Sequence, residues 1–69
     1  MLPTAIPSTQ TLVIHAETGV VCGTFPDQQS AYNWIDGLCV NPTYKARCYR
    51  TVNAFEYWKR EGYAVTVTL

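Results

Sequence analysis

Charge is scarce in this chain. Asp, Glu, Lys and Arg supply 14% of its 69 residues, against about a quarter in ordinary soluble domains. The first 44 residues contain Glu17, Asp27 and Asp36 and no Lys or Arg. A disordered polyelectrolyte is excluded, because 48% of the residues are hydrophobic. Formal net charge is zero, with five cations against five acids. That balance argues against nucleic-acid binding driven by bulk charge, and the chain is not acidic enough to imitate a nucleic-acid backbone. The charge is nevertheless dipolar. Residues 1–44 carry −3, whereas residues 45–69 set Lys45, Arg47, Arg50, Lys59 and Arg60 against Glu56 and Glu61 and carry +3.

Groups for chemistry are equally few. There is one histidine, His15, and three cysteines, Cys22, Cys39 and Cys48. These are the available zinc ligands, but none form a Cys-x-x-Cys pair, the spacing that a zinc knuckle needs. They read as small buried thiols, and no metal or cofactor is expected. A Cys–His nucleophile would need His15 beside Cys22, with Glu17 to orient the imidazole. Both would then lie on a flat sheet face, with no glycine-rich loop or helix start to bind an oxyanion. No phosphate loop, dinucleotide fingerprint or nucleophile elbow occurs, and no spacing pairs two carboxylates. The chain is also short for a deep pocket, so no enzyme is expected.

Long apolar runs are missing as well. No segment approaches the length of a membrane span. Residues 1–10 lack the positive start and apolar run of a secretory signal. Together with the odd cysteine count, this points to a reducing cytoplasm.

What the chain does have is aromatic side chains: two Trp, five Tyr and two Phe. A domain of this size buries only about 60% of its unfolded surface, so large side chains serve its core. Tyr and Trp are also favoured at interfaces.

The elements follow in order. Pro3 and Pro7 make residues 1–10 an extended N-terminal arm, with Leu2 and Ile6 able to pack it onto the domain of residues 11–69. Residues 11–25 read as a β-hairpin with its turn at Thr18-Gly19. If Ala16 opposes Val21, then Leu12, Ile14, Ala16, Val21 and Phe25 share one face, and His15 meets Cys22 on the other. Residues 27–38 read as a helix capped by Asp27. Ala31, Trp34, Ile35 and Leu38 form its stripe, which should cover the hairpin's apolar face, with Trp34 over Gly23. Tyr32, Asn33 and Asp36 form its free side. Residues 44–52 read as a strand whose even positions, including Cys48 and Val52, face that helix. Lys45, Arg47 and Tyr49 would stand on the open side. Residues 53–62 read as a short helix capped by Asn53, with Glu56 in capping-box position and Gly62 at its stop. Residues 63–69 alternate as a last strand.

The order β-β-α-β-α-β predicts an α+β fold: a four-stranded, mostly antiparallel sheet with one main helix on one face and a short second helix. The functional expectation is a small non-catalytic module that binds and regulates or inhibits another protein. This is the style of accessory proteins from phages or mobile elements that block a host factor. The candidate binding residues are Lys45, Arg47, Tyr49, Arg50, His15 and Tyr32. They would meet a partner with an acidic patch, because Arg and Tyr are typical interface anchors. The alternative, nucleic acid, rests on the same basic and aromatic alternation, which suits base stacking on a sheet. No membrane partner is expected. The uncharged last strand offers an edge for a homodimer.

Overall fold

The computed structural model describes residues 2–38 and 48–69. Five strands and two helices appear there: β1 (Thr4–Pro7), β2 (Thr11–His15), β3 (Val21–Phe25), α1 (Gln28–Leu38), β4 (Tyr49–Asn53), α2 (Ala54–Arg60) and β5 (Val65–Thr68). The class is α+β, with two helices as expected. The sheet differs: in place of one four-stranded sheet there are two. One is antiparallel and three-stranded, in the order β3-β2-β4. The other is a parallel two-stranded ribbon, β1-β5, which joins the two ends of the chain.

Strand β2 is the centre. Thr11, Leu12, Val13 and Ile14 are all buried, and Leu12 and Val13 are 0% exposed. Successive residues of a strand point to opposite faces, so burial of all four means that both faces are covered. On one side Val13 packs with Ala31 and Ile35 of α1, flanked by Phe25, Trp34 and Tyr49. On the other side Leu12 packs with Ile6 of β1 and Ala54 of α2, flanked by Val21, Val52, Phe55, Trp58 and Val65. Full burial of Leu12 or Val13 contributes roughly 1.5–3 kcal/mol each.

This corrects the expected placement of α1. Its stripe covers Val13, not the face of Leu12 and Ile14. The cause is a register shift. Thr11 opposes Phe25 and Val13 opposes Gly23, but Ile14 opposes Val21, so the ladder is broken at Cys22. In an unbroken strand Val21 and Phe25 would share a face. The irregularity sends Phe25 under α1 and Val21 toward Leu12, and each cluster gains an apolar side chain. Gly23 is covered by its strand neighbour: an added Cβ would lie 2.9 Å from Phe25 Cε2. Trp34 does not cover it, as expected from the sequence, but lies beside the same ring, 5.6 Å between centroids. Leu38, assigned to the stripe, is 51% exposed.

The helix ends follow local chemistry. Asp27 Oδ1 accepts the Ser30 N–H at 2.7 Å, satisfying one free donor of the first turn of α1. That bond holds the Asp27 carboxyl below its ordinary pKa. Asn53 Oδ1 accepts the Glu56 N–H at 3.1 Å and caps α2. Gly62 ends α2 with φ 96°, its N–H donating to Lys59 C=O while Tyr63 N–H donates to Trp58 C=O. Only glycine adopts that backbone without strain.

Hydrogen bonds fasten the segment that follows β1 to the rest of the domain, among them Thr9 Oγ1 to Pro26 C=O at 2.8 Å. Asn53 Nδ2 donates to Ser8 C=O at 2.9 Å, and Ala54 N–H donates to Gln10 C=O at 2.9 Å. Residues 4–7 thus form a docked strand: Ile6 is 6% exposed, whereas Leu2 stands free at 90%.

Candidate interaction surface

The ribbon is where apolar surface collects. Seven large hydrophobic side chains among the described residues are exposed, and four of them, Leu2, Tyr63, Val67 and Leu69, belong to β1, β5 or their flanks. An apolar groove of about 560 Å³ lies at one end. Leu2, Thr4 and Ile6 line it from the β1 side, Tyr63 and Val65 from the β5 side, and Trp58 from α2. Its aromatic wall is ordered by edge contacts. Trp58 meets Tyr57 at 5.0 Å and Tyr63 at 5.3 Å, both nearly perpendicular. No Asp, Glu, Lys or Arg occurs in residues 2–16 or 62–69, so the strands of the ribbon and their flanks carry no charged side chain.

Of the residues chosen from the sequence, His15, Tyr32, Tyr49 and Arg50 are described, and these four do not share one face. Tyr49 is half-buried beneath α1, its ring 6.2 Å from Trp34 and 5.8 Å from His15. It therefore faces the main helix, where an open sheet face was expected. There is no open face there, because α1 covers one side of β2 and α2 with the ribbon covers the other. Arg50, next in the strand, points to the opposite side and is exposed. Tyr32 is 48% exposed on α1, its hydroxyl accepting from Gln28 Nε2 at 3.4 Å. The same amide reaches Thr51 Oγ1 at 3.4 Å. Lys45 and Arg47 lie outside the described residues.

His15 and Cys22 are not the cross-strand neighbours that an even register implied. His15 N–H donates to Val20 C=O at 2.9 Å, and Cys22 falls at the ladder break, its Sγ 3.6 Å from Val20 C=O. The imidazole sits against Tyr49, and its Nδ1 is buried without a hydrogen-bond partner among the described residues. No group of three or more His, Cys, Asp or Glu side chains comes together among the described residues. No helix among them is long and apolar enough to cross a membrane.

Sequence reasoning missed the ribbon because its strands are about 60 residues apart and no local pattern announces a parallel partner. One signal was present. Pro3 and Pro7 occupy alternate positions of an extended segment, so both missing N–H groups lie on the same edge of the strand. That is the pattern of an edge strand.

Compared with known proteins, the chain matches no family model, no curated protein and no solved structure.

Proposed function

We propose that this chain is a small non-catalytic protein-binding module that regulates or inhibits its partner through the groove between Leu2, Trp58 and Tyr63. The single observation behind this reading is the gathering of exposed apolar side chains on and beside a ribbon that carries no charged side chain. Exposed apolar surface is costly to keep in water, and contiguous patches of it mark sites of association. Trp and Tyr in such a patch are the usual anchors of an interface. The groove is lined by rings and aliphatic groups, so it takes an apolar side chain of the partner. The basic residues Lys45 and Arg47, outside the described part, are the ones offered to an acidic patch.

The test is capture from a lysate of the source cells, with wild-type protein and the variants Leu2→Asp and Tyr63→Asp on parallel columns. A discrete protein retained by the wild type, insensitive to moderate salt and lost with both variants, is the expected result. Retention on heparin or single-stranded oligonucleotide that falls steeply with salt, and no retained protein, would replace this reading with nucleic-acid binding.

A further inference from the structure

We propose that β5 pairs with β5 of a second copy of this chain, antiparallel across a two-fold axis, to give the four-stranded sheet β1-β5-β5′-β1′. The contact is made by backbone groups of Val65 and Val67 on the β5 edge, and of these two residues only Val65 also lines the groove, so the proposal goes beyond the protein-binding reading and is tested separately at Val67.

The argument rests on which backbone groups point where. Thr4 N–H donates to Ala64 C=O and Ser8 N–H to Thr68 C=O. With Thr4 opposite Val65 and Pro7 opposite Thr68, the parallel pattern turns Thr4, Ile6 and Ser8 toward β5, and Ala64, Thr66 and Thr68 toward β1. The groups of Pro3, Ala5 and Pro7 therefore face away on β1, and those of Val65 and Val67 face away on β5. The two edges are not equivalent. On β1, two of the three outward residues have no N–H, and the Pro7 carbonyl is already taken by Gln10 N–H at 3.0 Å. On β5, the outward N–H and C=O groups of Val65 and Val67 have no partner among the described residues.

Proteins blunt exposed edges with prolines, bulges or charges. Each of the other three edges has such a device. Edge β1 has Pro3 and Pro7. Edge β3 has the ladder break at Cys22. Edge β4 carries exposed Arg50. Strand β5 has none: Val65-Thr66-Val67-Thr68 contains no charge, proline or break.

The occupant is a second copy because the strand is complementary to itself. In a two-fold pairing each residue meets a residue of the same strand. Charged side chains on the edge would then repel one another, and this strand has none. Any register that joins the outward groups sets Val65, Val67 and Leu69 against one another on one face, and Thr66 and Thr68 against one another on the other. Val67 is 46% exposed and Leu69 fully so, so both have surface to lose. Two strands of four residues form a sheet too small to be stable alone, and pairing doubles it. The outer edges of the enlarged sheet are then both β1, which prolines block. The assembly closes at two copies and does not grow into a filament.

The experiment is sedimentation of the full chain from about 1 µM to about 1 mM, with backbone amide exchange read at both ends of the range. The expected result is a monomer at the low end and a dimer at the high end, with the Val65 and Val67 amides slowed only in the dimer. Two variants follow. Val67→Pro removes an outward donor and none of the β1–β5 bonds. Val67→Lys keeps every backbone group and sets like charges across the two-fold. Each should weaken dimerisation by at least about tenfold, and Val67→Lys keeps the test decisive if the proline variant unfolds. A monomer at every concentration overturns the proposal. So does a dimer in which the Val65 and Val67 amides still exchange freely, or one that Val67→Lys leaves unchanged.

Discussion

Asn53 is the residue whose removal should report most directly on how the two sheets are held together. Its carboxamide does two jobs at once. The Oδ1 accepts Glu56 N–H at 3.1 Å at the start of α2, and the Nδ2 donates to Ser8 C=O at 2.9 Å, at the end of the ribbon. Asn53→Ala abolishes both. Loss of an N-cap costs about 0.5–2 kcal/mol, and loss of one neutral hydrogen bond about 0.5–1.5 kcal/mol. The expected sum is about 1–3.5 kcal/mol. A domain of this length has only about 3–10 kcal/mol in all, so the effect is large and easily measured. Asn53→Asp separates the two terms. A carboxylate still caps the helix, but it cannot donate, and its oxygen would face the Ser8 carbonyl. It should lose the second term and keep the first. The assay is urea unfolding followed by far-UV circular dichroism, with free energies from linear extrapolation. The expected order of stability is wild type, then Asn53→Asp, then Asn53→Ala, at unchanged m-value. If Asn53→Asp equals wild type, the bond to Ser8 contributes nothing. If both variants fall within about 0.5 kcal/mol of wild type, the account of the junction is refuted.

Two further outcomes are expected. Asp27 has its pKa lowered by the Ser30 N–H, so its cap is fully present above the carboxyl's unfolded pKa, about 3.9, and is lost as pH falls through the lower folded value. Urea midpoints of the wild type should therefore drop in that acid window, and Asp27→Asn, whose amide oxygen stays an acceptor at any pH, should lose less there. The same exchange of glycine for alanine should have opposite signs at two sites. Gly62→Ala forces a Cβ onto φ 96° and should destabilise by about 1–2 kcal/mol, whereas Gly37→Ala, in α1 with nothing within 4 Å of an added Cβ, should stabilise by about 0.5–1 kcal/mol. Thermal midpoints of the two variants check both signs.

The helices were legible in the sequence because their signals are local. Asp27 before Ala31-x-x-Trp34-Ile35, and Asn53 three residues ahead of Glu56, act within one turn, and both caps are found where the chain places them. The sheet was less legible because strand faces depend on an unbroken period of two. One irregular residue, Cys22, reverses the faces on either side of it. The alternation of Leu12, Ile14 and Ala16 suggests a strand covered on one side only. The stronger signal was the continuous run Leu12-Val13-Ile14, which is what a strand covered on both sides requires. The basic stretch that carried the functional expectation lies mostly outside the described residues. Of its described members, Tyr49 is claimed by the aromatic cluster beneath α1. The exposed apolar surface with Leu2, Tyr63 and Val67 was hidden because its residues come from opposite ends of the chain.

The ribbon gives the core only Ile6 and Val65 and leaves most of its other residues exposed. The segment after β1 is held further by bonds from Asn53 to Ser8, from Ala54 to Gln10 and from Thr9 Oγ1 to Pro26 C=O. An element with so little buried area opens locally at low cost, well below the free energy of global unfolding. Anything that binds the β5 edge or the Tyr63 groove must bind the closed form, so the apparent affinity falls with the fraction of molecules closed. On the proposed reading, Asn53→Ala should therefore weaken binding without removing any contact to a partner. A weaker junction lowers the closed fraction, and self-association through β5 and capture through the groove should decline together. By linkage, a bound partner raises the stability of the ribbon by the same free energy. On the proposed reading, the absence of charged side chains from β1 and β5 leaves the affinity of the ribbon itself to apolar contact and strand pairing made after it has closed.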